Sequence, residues 1–151
     1  MLLKTILFLF VFCFSSCLFA DSLKDDYEKS LQKESKFQCG NASVYIHKQY
    51  LDDLNPPYLG TTTLIAKAKS RKVELVYDDD QFSAKCLTSK SQVKYIIFQS
   101  FCGGSGCRDL DNYGIIQSSN LRVLLVPNDY NREEASRILG YKAPQLSDKP
   151  K

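Results

Sequence analysis

Val93-Lys94-Tyr95-Ile96-Ile97-Phe98-Gln99-Ser100-Phe101 (VKYIIFQSF) decides the fold class. Side chains alternate across a strand, so Val93, Tyr95 and Ile97 share one face and Ile96 and Phe98 the other. Both faces are apolar. A strand at a solvated edge would carry polar residues on one of them, so 93–101 reads as a central strand covered on both sides.

The neighbouring segments repeat the period of two. Ala42, Val44 and Ile46 alternate with Ser43, Tyr45 and His47, which puts His47 on the solvent face of a half-buried strand. Residues 61–69 and 72–77 read as a hairpin joined at Ser70-Arg71. Asp78-Asp79-Asp80 is a solvated turn, and 83–88 is a weaker strand carrying Cys86. Residues 112–116 and 121–126 form a last hairpin through Ser118-Ser119-Asn120, with Leu121, Val123 and Leu125 on one face. Pro56 and Pro57 forbid ladder pairing, so 51–60 is a loop.

After Pro127 the pattern turns helical. Asn131 and Glu134 have the spacing of a capping box, Ala135, Ile138 and Leu139 supply an apolar stripe, and Gly140 stands where a helix ends. The expected fold is α+β and mainly β: an antiparallel meander of five to seven strands in one sheet, with a C-terminal helix packed on it and two disulfides. Residues 37–140 form one β-rich domain on this reading. Residues 21–36 (DSLKDDYEKSLQKESK) are polar, with a thin stripe of Leu23, Tyr27 and Leu31, and read as a short helix or flexible arm. Residues 141–151 read as a frayed tail.

The first twenty residues read as an address. Lys4 precedes an apolar run from Ile6 to Phe14, too short to span a hydrocarbon core of about 30 Å. Ala20 is a small residue before Asp21, so 1–20 is expected to be a removed signal peptide. Phe14-Ser15-Ser16-Cys17 is a loose lipobox and offers lipidation of Cys17 as the alternative. The expected location is therefore the periplasm or the exterior, with a lipid anchor in the envelope as the second reading. No transmembrane span is expected in the mature chain.

The chain has 151 residues and six Cys. Either processing route removes or modifies Cys13 and Cys17 and leaves Cys39, Cys86, Cys102 and Cys107. An even count in an exported chain implies disulfides, and three connectivities exist. Cys102 and Cys107 enclose Gly103-Gly104-Ser105-Gly106, whose glycines let the chain bend back on itself. The favoured pairing is Cys102–Cys107 with Cys39–Cys86. A Cys-x-x-Cys redox spacing is missing, and four thiolates without a second close pair make a poor zinc set.

The chemistry classes narrow quickly. There is one His, so a multi-His metal site is excluded and one imidazole serves as a base at most. Ser105 lacks the Gly two places on that a nucleophile elbow needs. Asp109-Leu110-Asp111-Asn112-Tyr113-Gly114 matches the start of a calcium loop at three positions. Tyr113 stands at position five and Asn120 where the bidentate Glu belongs, so Asp109 and Asp111 are a weak metal pair. No cofactor is implied. The whole chain has 20 basic and 17 acidic residues, and without Lys4 the balance for 21–151 is +2. That balance suggests neither nucleic acid nor anionic lipid as a partner.

The expectation is an exported, monomeric, non-enzymatic binding protein, of the inhibitor or immunity kind, whose partner is a protein of the envelope. Its stapled loop would present Ser105, Arg108, Asp109, Asp111 and Tyr113, because a pre-ordered loop loses little entropy on binding. A structural or accessory envelope lipoprotein, or a small cell-envelope hydrolase, are the other readings. Mass spectrometry of the mature N-terminus is expected to find Asp21; a lipid-modified Cys17 would establish the anchored form instead.

Overall fold

A computed structural model describes residues 32–50, 60–78, 81–101, 112–128 and 130–146, and the architecture below is that of the unit Lys33–Lys151. The chain is mainly β. Strands β1 (Gln32–Cys39), β2 (Ala42–Tyr50), β3 (Gly60–Ala68) and β4 (Arg71–Tyr77) form one sheet. Strands β5 (Gln81–Thr88), β6 (Lys94–Phe101), β7 (Tyr113–Gln117) and β8 (Val123–Leu125) form a second. Both are antiparallel meanders in sequence order. One helix follows among the described residues, α1 (Arg132–Leu139).

The single sheet expected from periodicity is thus corrected to two sheets of four strands. The reason lies at the three aspartates 78–80. Tyr77 and Gln81 flank them, and β4 and β5 are not neighbours, so the chain changes sheets there rather than making a hairpin. Alternation reports that a face is buried; it does not report what buries it.

Sheet β5–β8 is the middle layer. On one side Ile96, Phe98, Phe82 and Ile116 meet Val44, Ile46, Leu64 and Ala66 of the other sheet. On the other side Tyr95, Ile97, Tyr113 and Ile115 meet Ala135 and Leu139 of α1 and Ala143 and Leu146 beyond it. The two faces read from VKYIIFQSF are therefore the faces of two separate cores. Phe98 lies directly over Gly114, its cross-strand partner, where an added Cβ would stand 2.0 Å from the ring. Only glycine admits that ring, which stacks on Phe82 at 5.7 Å and meets Tyr77 at the same distance.

Several local expectations change for tertiary reasons. Residues 32–36 belong to β1, not to a helix or arm, because β2 supplies a ladder that outweighs a thin helical stripe. Their polarity is that of an edge strand. In β8 the alternation breaks: Ile116 pairs with Val123 but Ile115 pairs with Leu125, so Leu124 is the extra residue of a bulge. Leu124 and Leu125 consequently both face the helix side, while Val123 stays in the inter-sheet core.

The helix begins without its expected capping box. Asn131 makes no side-chain bond to the helix start, whereas Gly140 closes it in the left-handed conformation, φ 76°, as its position foretold. The stretch after Gly140 is packed and not frayed as far as it is described. Ala143 is 0% and Leu146 1% exposed. The Leu146 amide donates to Gln99 Oε1 at 2.7 Å, and the Tyr113 hydroxyl donates to the Pro144 carbonyl at 3.0 Å. This return pass covers the buried amide of Gln99 in the second core, which periodicity cannot foresee.

A disulfide joins Cys39 to Cys86, one in each sheet, as favoured from sequence. Cys102 and Cys107 lie outside the described residues. Closing a loop with a sequence separation of 47 is worth about 4 kcal/mol in the chain-entropy treatment. Replacing both Cys39 and Cys86 by Ser is expected to remove about that much, read as a lower urea midpoint; an unchanged midpoint would refute a stapling role.

Candidate functional site

The strand registers give the sandwich two unlike ends. Tyr50 opposes Gly60, Thr62 opposes Tyr77, Gln81 opposes Phe101 and Gln99 opposes Tyr113. The connections 51–59, 79–80 and 102–111 therefore all leave from one end. The 2.9 Å bond from Lys48 Nζ to the Phe82 carbonyl and the Tyr77–Phe82 ring contact at 5.9 Å hold the two sheets together there. The other end consists of tight turns: Gly40-Asn41, Lys69-Ser70, 89–93 and 118–120.

Ser105, Arg108, Asp109 and Asp111, and with them the weak metal pair Asp109 and Asp111, fall outside the described residues. What is described is the base that carries their segment. Cys102–Asp111 links β6 to β7, the two inner strands of their sheet. Both are buried up to the junction: Gln99 is 0%, Ser100 4%, Asn112 6% and Tyr113 0% exposed.

Tyr113 needs correction as a contact residue. Its ring lies in the second core and its hydroxyl is spent on Pro144, so it supports the segment from below and presents nothing to a partner. Alternation from Ile115 places it there; counting it with the loop obscured that.

Asn131 is the residue that sequence reasoning missed at this base. It is 5% exposed and reaches across to the first residue of β7. Its Oδ1 accepts from the Tyr113 amide at 2.6 Å, and its Nδ2 donates to the Tyr113 carbonyl at 2.7 Å and the Val126 carbonyl at 2.8 Å. The amide thus stands in for a strand where β8 has already ended. The same Asn was legible as a helix start, and tertiary pairing with buried backbone groups took its side chain instead. Beside it, Asn112 Oδ1 is buried and has no hydrogen-bond partner among the described residues.

His47 stands on the outer face of the first sheet, as expected, with Nδ1 3.2 Å from Glu34 Oε1. Next to it, Tyr45 lies under Lys36 and Lys67, whose ammonium groups are 5.3 and 5.5 Å from the ring centre. These residues and Ile65 line a shallow concavity. The hydroxyls in reach, Ser35 and Tyr45, do not form a nucleophile–base pair with His47 through any hydrogen bond among the described residues. No group of three His, Cys, Asp or Glu that could hold a metal occurs among the described residues. No described helix is long and apolar enough to cross a membrane. No family model, curated protein or solved structure matches the chain.

Asn131→Ala would remove this side chain's bonds to two buried backbone groups of Tyr113, each loss costing about 1–3 kcal/mol, and its bond to the more exposed Val126 carbonyl. Asn131→Asp keeps the shape but turns two donated bonds into carboxylate–carbonyl contacts. Both are expected to destabilise by more than about 2 kcal/mol in urea unfolding, beyond the upper end of what losing a helix cap costs.

Proposed function

We propose that this is an exported, non-enzymatic binding protein that engages a protein of the cell envelope through the connection between β6 and β7, in the manner of an inhibitor or immunity protein. One observation carries the reading: the ten residues 102–111 spring from the two innermost strands of the middle layer, with Asn112 and Tyr113 buried at their foot. Recognition loops work from such rigid platforms, because the scaffold does not rearrange when the loop binds. The strands flanking connections 51–59 and 79–80 end on the same side of the sandwich.

A second disulfide, Cys102–Cys107, belongs to this proposal and would hold the loop in shape. The inter-sheet disulfide supports an oxidising compartment, the periplasm or the exterior, and so does the leader-like segment 1–20. A lipid-anchored accessory role through Cys17 differs only in the N-terminus and leaves the loop reading intact.

Ser105, Arg108, Asp109 and Asp111 are the proposed contacts, with Arg108 the expected anchor. In affinity capture from envelope extract, Arg108→Ala combined with Asp111→Ala is expected to release the specific partner while the melting temperature stays unchanged. Retention of every specific partner by that variant would refute the loop assignment.

A further inference from the structure

The near-neutral balance of the whole chain hides a strong separation of charge. The described residues hold fourteen Lys and Arg but five Asp and Glu, whereas the whole chain holds 20 and 17. The missing acids are concentrated in the connections. Segments 51–59, 79–80 and 102–111, together with position 129, hold seven of those twelve acids and a single cation, Arg108, and Asp78 adds an eighth Asp beside them. All of these leave the same end of the sandwich.

The turn end is the opposite in sign. Lys69 and Arg71 sit at the β3–β4 turn, Lys90 and Lys94 flank the β5–β6 turn, and Arg122 follows the β7–β8 turn; all five are exposed. None forms an ion pair with a carboxylate among the described residues, where the ion pairs are His47–Glu34 and Lys72–Glu74. The turns that carry them are tied to one another. Arg71 donates to the Asn120 carbonyl at 3.1 Å, and Ser118 Oγ donates to the Lys94 carbonyl at 2.8 Å. The Lys90 amide donates to the Leu139 carbonyl at 2.8 Å. The positive charges are thus fixed on one end face shared by both sheets and the helix terminus.

We propose that this turn end docks on an anionic lipid bilayer. A protein partner would need desolvated apolar anchors, and the exposed large hydrophobics Val76, Val126 and Tyr130 lie toward the opposite end, with Tyr45 on a sheet face. The exception is Tyr141 beside the turn end, 40% exposed with its hydroxyl on the Thr88 carbonyl; an amphipathic ring of this kind suits the headgroup level. A nucleic acid would call for a groove lined by cations or stacking rings, and the end face is a set of turn tips. Three of the five cations are lysines, whose ammoniums on flexible stems act as point charges and suit a fluid array of phosphates. The acidic connections on the far end would be repelled, so the docked molecule faces them away from the bilayer. This inference stands whether or not the β6–β7 connection is a recognition loop.

Flotation of the protein purified from its host tests it, with vesicles of phosphatidylcholine alone and of phosphatidylcholine containing about a third phosphatidylglycerol. Binding is expected only to the anionic vesicles at about 0.1 M salt, and release near 1 M, where the screening length falls to about 3 Å. Lys94→Gln with Arg122→Gln is expected to weaken binding by roughly 25-fold, about fivefold for each cation. Lys36→Gln with Lys85→Gln removes the same charge from strand middles and is expected to weaken it less than about threefold. All four substitutions are at exposed positions and Lys36→Gln gives up one exposed contact with the Tyr45 ring, so the melting temperatures should stay within about 4 °C of the parent. Absence of binding to anionic vesicles overturns the proposal, as does equal loss in the two variants. Equal binding to neutral vesicles, or a tighter hold on a nucleic-acid duplex, overturns it too.

Discussion

The burial of both faces of sheet β5–β8 is the constraint from which the rest of the molecule follows. An antiparallel sheet can leave one face in water, and this one does not. Ile96 and Phe98 require a cover on one side, Tyr95 and Ile97 on the other. The first cover is a whole second sheet, and the second is a helix with its return segment. Each cover is then tied on by something other than apolar contact. Cys39–Cys86 crosses between the sheets, and Asn131 clamps the helix start to the β7 backbone.

Polar groups inside the second core explain why the chain continues past its helix. Gln99 and the Tyr113 hydroxyl sit among apolar residues, and buried polar groups need partners. The backbone at Leu146 and Pro144 supplies them. A chain ending at Gly140 would leave Gln99 Oε1 and the Tyr113 hydroxyl without those bonds, each loss worth about 1 kcal/mol or more. The segment 141–146 is therefore part of the fold, although its Pro and polar residues look like a tail.

Charge shows the same gap between a sum and an arrangement. A net charge near zero says nothing about where the charges lie. Here the strands and turns keep the lysines and arginines, and the connections at one end keep the aspartates. Meander topology is what separates them, because successive long connections and successive tight turns fall on opposite ends of each sheet. The molecule has a polarity that composition does not contain.

Periodicity was enough for the strands whose two faces differ, or are both apolar: β2, β3, β4, β6 and β7 were legible, with the helix and its Gly140 stop. The Cys39–Cys86 pair was legible from cysteine counting, and the outward face of His47 from alternation. These are local properties, set by side-chain direction and backbone geometry along a short stretch. The division into two sheets, the polar edge strand β1, the bulge at Leu124 and the clamp by Asn131 were not legible. Each depends on a partner far away in sequence, and a residue such as Asn131 has several ways to satisfy its hydrogen bonds until that partner is in place. For β2, β3, β4 and β6 the sequence alone settled which faces are buried; the tertiary structure decided what buries them, and with it which end of the molecule is positive.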